Sequence, residues 1–327
     1  MHALPRRAPL SPGTVPTPIA RRAWFSQKRT RGSVSRMMKM GWLDHVRSAA
    51  SLAVITLNLT FWVILLVVLG LAKAIAGPAR PTVDRVLDGC YRAAIAVHDF
   101  WLRRVMGVRW QNPDLVLPRD ELCLVLANHA SWADILILQS AVARQGPLLK
   151  FLTKRELAYI PIFGIIFWAF DFPLLRRTTK AGEDEAARRA ADAAALDAAC
   201  DSVRRRPAAL TIFAEGTRAT PEKIASRGGP HRHLLKPRIG GFASLFSALE
   251  DDLVSIIDVT IVSPEHPALW PFLAGRLSPI EVRAERVPSS ALPQGRDALA
   301  AWLDERWRAK DDAIERVRAA AATGLPA

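Results

Sequence analysis

The side chains best placed to move a proton in this chain are a histidine and an aspartate five positions apart, His129 and Asp134 in the run NHASWAD. The apolar run LCLVLA ends at Ala127, so the imidazole falls at the carboxyl end of a strand, where α/β folds place reacting groups. On a continuous helix, five positions at about 100° each turn two side chains about 140° apart, so this pair meets only across a turn. Ser131 at a helix start, with Asp134 in its first turn and ILILQSAVA following, supplies that turn. Asp134 would then accept from one ring nitrogen, fix the tautomer and leave the other nitrogen free to take a proton from an alcohol. The same residues also read as a capping box, in which Ser131 and Asp134 satisfy helix-start amides. Ser131 as a covalent nucleophile with His129 as its base would instead make an acyl thioesterase, although the chain has no Gly-x-Ser-x-Gly elbow.

A second run, FAEGTR from Phe213 to Arg218, ends another strand-like stretch, ALTIFA. Glycine permits close backbone approach, threonine offers a hydroxyl, and arginine presents a planar fork suited to phosphate. Glu215, Gly216, Thr217 and Arg218 therefore read as an anion-binding loop. In isolation they would equally describe a solvated turn, and their place after a buried strand favours binding. Between the two runs, Phe151 to Arg177 holds an apolar stretch, Tyr159 to Leu175, broken by Pro161, Gly164 and Asp171. That stretch is marginal as a spanning helix and reads as core, or as a surface that dips into a membrane and guides lipid chains. Lys154 and the pair Arg176 and Arg177 bracket it, and interfacial snorkelling explains the pair about as well as anion binding does.

Placing these groups calls for an α/β fold, a mixed sheet flanked by helices. Leu122 to Ala127, Leu210 to Ala214 and Ile256 to Val262 read as strands, and Ile135 to Ala143, Glu183 to Arg205 and Arg296 to Val317 as helices. Ahead of them, Ala49 to Ala72 runs without a formal charge, long enough at about 1.5 Å per residue to cross a bilayer core of about 30 Å. Basic residues flank it on both sides, Arg47 before and Lys73, Arg80 and Arg85 after, so the positive-inside rule gives no clean orientation. An N-terminal membrane helical hairpin dipping in from the cytosol fits both flanks, with Val83 to Val105 as a second, interfacial arm. The expected division is a disordered basic tail at 1–36, a two-helix membrane anchor at 37–106 and a catalytic domain at 107–327.

The formal charge is +14, yet residues 1–40 hold nine Lys or Arg and no Asp or Glu. Such a tail suits an anionic surface, phospholipid or nucleic acid. A membrane-tethered nucleic-acid-binding protein is thus a rival reading, but no nucleic-acid module is recognisable and no nucleic-acid partner is expected. Cys90, Cys123 and Cys200 are scattered without Cys-x-x-Cys spacing, which argues against disulfides and zinc. His231 and His233 in HRH lack a third ligand at a metal-site spacing, and with His2, His45, His98 and His266 they read as solvated; no metal is expected.

In this order, NHASWAD, the block Lys154 to Gly164, the block Asp171 to Arg177 and FAEGTR resemble the four-block signature of the PlsC-like lysophosphatidic acid acyltransferases. The stretches DFPLLRR, RHLLKPRIGGF and VTIVSP are most similar to the bacterial branch related to lysocardiolipin acyltransferases, although Val262-Ser263-Pro264 stands where the fourth block ordinarily ends in Pro-Val. The resemblance implies that His129 deprotonates the sn-2 hydroxyl of a lysophospholipid, which attacks the thioester of acyl-CoA or acyl-carrier protein while Asp134 supports the imidazolium. It assigns Glu215, Gly216, Thr217 and Arg218 to the glycerol phosphate and puts Lys154 near that phosphate. It also implies a two-helix membrane motif, an active site on the cytoplasmic face of the inner membrane, and no cofactor beyond the acyl thioester.

Overall fold

The computed structural model describes residues 40–111, 113, 115, 117–144, 146–175, 185–277 and 279–323. The basic tail 1–36, Arg176 and Arg177 lie outside them. Asp44–Ala327 form one compact unit; of the other, Met1–Leu43, only the last four residues are described.

In chain order the strands are β1 (Trp110–Gln111), β2 (Cys123–Ala127), β3 (Leu149–Phe151), β4 (Thr153–Lys154), β5 (Leu174–Leu175), β6 (Ala209–Phe213), β7 (Ser255–Val262) and β8 (Ile280–Pro288). Six of them make one sheet in the order β1-β8-β7-β2-β6-β3, while β4 and β5 pair separately. Every neighbouring pair in the large sheet is parallel except β7 with β8. The parallel centre has both faces covered, so β2 and β7 are buried along their whole length; β2 reads as a continuous apolar run, and β7 as an apolar run that also carries Asp258 and Thr260. The three strands expected from the sequence are β2, β6 and β7, each within one residue.

The helices are α1 (Trp42–Ile75), α2 (Arg80–Phe100), α3 (Ala133–Leu138), α4 (Pro161–Ala169), α5 (Glu185–Arg205), α6 (Pro221–Arg227), α7 (Ile239–Leu249), α8 (Leu269–Leu273) and α9 (Arg296–Thr323). Single π turns prolong α2 to Val105 and α3 to Ala143. Successive β2 side chains divide between two cores, as the pleat requires. Cys123, Val125 and Ala127 join residues of α2 and α3, whereas Leu124 and Leu126 join residues of α5, α7 and α9. The sheet is therefore the middle of three layers.

Among the described residues, α1 is the one helix long and apolar enough to cross a membrane. It runs antiparallel to α2: Trp101 Nε1 donates to Ser51 Oγ at 3.0 Å, and further along Asn58 Nδ2 donates to Ala94 O at 3.0 Å. Both ends of α1 are also fastened to the α/β unit. Near its start, Ser48 and Ser51 hydroxyls donate to Trp270 O and Leu273 O at 2.7 and 2.8 Å; near its end, Lys73 pairs with Asp171. One face of α1 is thereby packed, while Leu57, Phe61, Ile64, Val68, Leu71 and Ile75 on the rest of it stay exposed.

Candidate active site

Strands β2 and β6 are parallel neighbours in a register that sets Ala127 opposite Phe213. The loops that follow them leave the same sheet edge together. Asn128 ties the first of these loops to β7, accepting from Ile261 N at 2.8 Å and donating to Ile261 O at 3.0 Å. It is 2% exposed, and its amide extends the strand ladder by one step beyond β2.

His129 and Asp134 meet as the turn requires. His129 Nδ1 stands 2.9 Å from Asp134 Oδ2, and the same oxygen accepts from Ala130 N at 2.7 Å and Ser131 N at 2.8 Å. Ser131 Oγ in turn accepts from Ala133 N at 3.1 Å. The capping and proton-transfer readings are thus both satisfied by one carboxylate: holding the helix start is what fixes the carboxylate against the ring. With an ionised Asp134, Nδ1 carries the proton and Nε2 keeps its lone pair. The ring lies flat on Phe213, with centroids 3.9 Å apart and planes 16° apart, and Phe213 stacks in turn on Phe151 at 6.1 Å. Ser131 is 4% exposed and its oxygen already serves the helix start, which leaves it poorly placed as a nucleophile.

The second loop is fastened to the first by its main chain. Ala219 N donates to His129 O at 2.7 Å, and His129 N donates to Glu215 Oε1 at 3.0 Å. Glu215 Oε2 accepts from Leu235 N at 3.0 Å, so both carboxylate oxygens are occupied and the residue is 0% exposed. Burial pushes its carboxyl up to about 8, against the pull of the two amide donors. Glu215 therefore acts on the loop from beneath, and its carboxylate does not face an incoming phosphate. Gly216 has φ 68°, the left-handed region that favours glycine. Thr217 Oγ1 accepts from Lys223 Nζ at 2.6 Å, and the Arg218 guanidinium lies 5.3 Å from the Trp132 ring centre. Lys154 falls in β4, paired with Leu175 of β5 in a separate two-stranded sheet.

Beside the dyad opens an apolar cavity of about 470 Å³. Leu52, Ile55, Leu59, Trp62 and Leu66 of α1 form one wall, Tyr91 and Ile95 of α2 another, and Phe163, Ile166 and Phe167 of α4 a third. Trp132 and Phe151 also line it. These two residues connect the cavity to the site, since Trp132 underlies Arg218 and Phe151 belongs to the stack beneath His129. The apolar stretch between the two runs is accordingly a cavity wall built on a helix of nine residues.

Of the histidines expected to be solvated, His45 is exposed, His2 lies outside the described residues, and the others are buried or bonded. His231 is 8% exposed, and His233 Nε2 bonds to Glu315 Oε2 at 2.7 Å while Asp311 accepts from Arg232 N and His233 N at 2.8 Å each. The HRH run is a clamp onto α9. His98 is likewise buried in α2, and the His266 ring bonds to Ala219 O at 2.8 Å, bracing the second loop. Among the described residues no three His, Cys, Asp or Glu side chains gather as a metal site, and all three cysteines are free and buried.

A family model described as Acyltransferase matches residues 108–263, and one described as Acyltransferase C-terminus matches residues 271–317. Among curated relatives, 1-acyl-sn-glycerol-3-phosphate acyltransferase 3 of Arabidopsis thaliana is 30% identical over 237 residues, which cover 68% of this chain and 60% of the relative. The human 1-acyl-sn-glycerol-3-phosphate acyltransferase delta is 30% identical over 205 residues, 58% of this chain and 52% of its own length. The chain thus spans a little over half the length of the curated relatives it matches. The crystal structure of the 1-acyl-sn-glycerophosphate acyltransferase PlsC from Thermotoga maritima shares the fold, with a TM-score of 0.51 at 16% identity over 84% of this chain and 95% of that one. The chain belongs to the acyltransferase family that contains bacterial PlsC and the plant and animal 1-acyl-sn-glycerol-3-phosphate acyltransferases.

Proposed function

We propose that this protein transfers a fatty acyl chain from acyl-CoA or acyl-carrier protein to the sn-2 hydroxyl of a lysophospholipid, with lysophosphatidic acid as the acceptor. The observation that carries this reading is the His129–Asp134 pair, held at 2.9 Å between an arginine-bearing loop and an apolar cavity. His129 Nε2 takes the hydroxyl proton, the acceptor oxygen bonds to the thioester carbonyl carbon, the carbon–sulfur bond breaks, and the proton passes to the departing thiolate. Asp134 stabilises the imidazolium formed on the way. Arg218 holds the acceptor phosphate, Gly216 and Thr217 shape its loop, Glu215 fixes that loop to the dyad, and Lys154 is the further cation near the phosphate. The 470 Å³ cavity takes an acyl chain; at about 30 Å³ per water-sized group it has room for on the order of fifteen methylenes.

The same reading places the enzyme at the cytoplasmic face of the inner membrane, anchored by α1 and α2 as a hairpin dipping into one leaflet. Ser48 and Lys73 lie about 38 Å apart along α1 at about 1.5 Å per residue, more than a bilayer core of about 30 Å. Both touch the α/β unit. A helix fastened to one body at both ends lies alongside it, and the exposed apolar face of α1 is then the face that enters lipid.

The test is an assay of the full chain in phospholipid vesicles with labelled acyl-CoA and a panel of lysophospholipids. Acylated phospholipid should form, most from lysophosphatidic acid. Release of free fatty acid without acyl transfer would favour the thioesterase reading instead.

A further inference from the structure

The turn at Gly216 and Thr217 is bordered by a cation that the Glu215 to Arg218 run does not supply. Arg238 closes the segment ahead of α7, and its main-chain N–H donates to Ala214 O at 2.7 Å. Leu235 N donates to Glu215 Oε2 at 3.0 Å. These two bonds hold residues 235–238 against the second loop. The Arg238 side chain then crosses Gly216: a β-carbon there would stand 3.3 Å from Arg238 Cδ, 3.5 Å from Nε and 3.7 Å from Cζ. Any side chain at 216 would therefore press on Arg238 as well as strain a φ of 68°.

Arg238 is exposed, and among the described residues its guanidinium has no carboxylate or hydrogen-bonding partner. The nearest carboxylate in the loop, Glu215, has both oxygens committed to amides. Arg218, two residues after Gly216 and with its guanidinium 5.3 Å from the Trp132 ring centre, likewise has no hydrogen-bonding partner among the described residues. One tight turn thus has near it two guanidinium groups without a hydrogen-bonding partner among the described residues.

The chemistry of that pairing is selective. A phosphate monoester carries about two negative charges and three terminal oxygens near neutral pH, enough for two bidentate guanidinium contacts. A phosphodiester carries one charge and two terminal oxygens, enough for one.

We propose that Arg238 binds the acceptor phosphate together with Arg218 across Gly216, and that this second guanidinium makes the site selective for phosphate-monoester lysophospholipids over phosphodiester ones. The proposal rests on the acceptor-phosphate role given above to Arg218.

The experiment compares lysophosphatidic acid with lysophosphatidylglycerol as acceptors for the full chain, Arg218→Gln, Arg238→Gln and Arg238→Lys in vesicles. Arg238→Gln keeps the stem over Gly216. It should raise the KM for lysophosphatidic acid about tenfold, leave kcat within about threefold and lower the monoester-to-diester ratio of kcat/KM about tenfold. Arg238→Lys should recover part of the loss, and inorganic phosphate should compete with the acceptor less well in Arg238→Gln than in the parent. An unchanged monoester-to-diester ratio in Arg238→Gln, or a fall in kcat with KM unmoved, overturns the proposal. If Arg218→Gln also leaves the acceptor KM unmoved, the phosphate reading of the loop falls with it; if only Arg218→Gln raises KM, that reading stands and the role of Arg238 is refuted.

Discussion

Asp134 Oδ2 accepts three hydrogen bonds, one from the His129 ring and two from main-chain amides, so on the proposed mechanism stability and chemistry share one atom. Asp134→Ala should therefore lose acyl transfer by at least about 10²-fold. It should also lose about 2 kcal/mol of stability by denaturant titration, since two amides are left without their acceptor. A variant that lost activity at full stability would show that the amide bonds contribute nothing. Glu215 makes a pH-dependent prediction. Its carboxyl sits near 4.5 in the unfolded chain and about 8 when folded, so the folded state binds the extra proton between those values. Its contribution is fully present below about pH 4.5 and is lost as pH rises through about 8. The melting temperature of the parent should fall relative to Glu215→Gln as pH is raised from 5 to 9; parallel melting curves over that range would contradict this.

At the scale of elements, the cavity is lined by residues of α1, α2 and α4 together with Trp132 and Phe151 beside the sheet edge. Ile95→Trp, which narrows it from α2, should cut the ratio of long-chain to short-chain acyl-CoA turnover about tenfold, read from a chain-length series. Overpacking should destabilise the protein by about 1–3 kcal/mol. An unchanged chain-length profile would remove the cavity from acyl binding. What was legible in the sequence tracks burial on both faces. β2, β6 and β7 are mainly apolar runs buried along all or nearly all of their length, so each was readable within a residue. β8 alternates Ile280, Val282 and Ala284 with Glu281, Arg283 and Glu285, and its exposed positions dilute the signal. β1, β4 and β5 have two residues each, too short for any period to show. The pair was legible as a spacing and as a capping box, but that one carboxylate oxygen meets both the ring and the helix-start amides was not, because both readings call for the same residue types. Phe213, Trp132 and Arg238 lie within the motifs, but their part in the site was not readable: it comes from stacking and loop-to-loop contacts between distant segments. The HRH run was misread for the same reason, its partners lying on α9 about eighty positions away.

At the scale of the whole molecule, α1 is at once a cavity wall and the exposed apolar face. Ile64 is 68% exposed and Val68 61%, so each has little packing to lose. Replacing both by Lys should leave the fold intact and weaken vesicle binding in a flotation assay by about tenfold or more, each charge being costly in the hydrocarbon. Undiminished flotation would move the membrane contact elsewhere on the protein. Far from that surface, Lys310 is buried against β7, donating to Val259 O at 2.6 Å and Thr260 Oγ1 at 3.1 Å and paired with Asp258. This network ties the C-terminal helix to the strand next to β2, so the sheet edge bearing the dyad is backed on the face opposite the cavity. All of these arrangements converge on one ring nitrogen. The most direct test is acyl transfer from acyl-CoA to lysophosphatidic acid by the full chain in vesicles, parent against His129→Ala. A folded variant with transfer reduced by at least about 10²-fold is the predicted result, and a folded variant that retains near-parental transfer would contradict the assignment of His129 as the base.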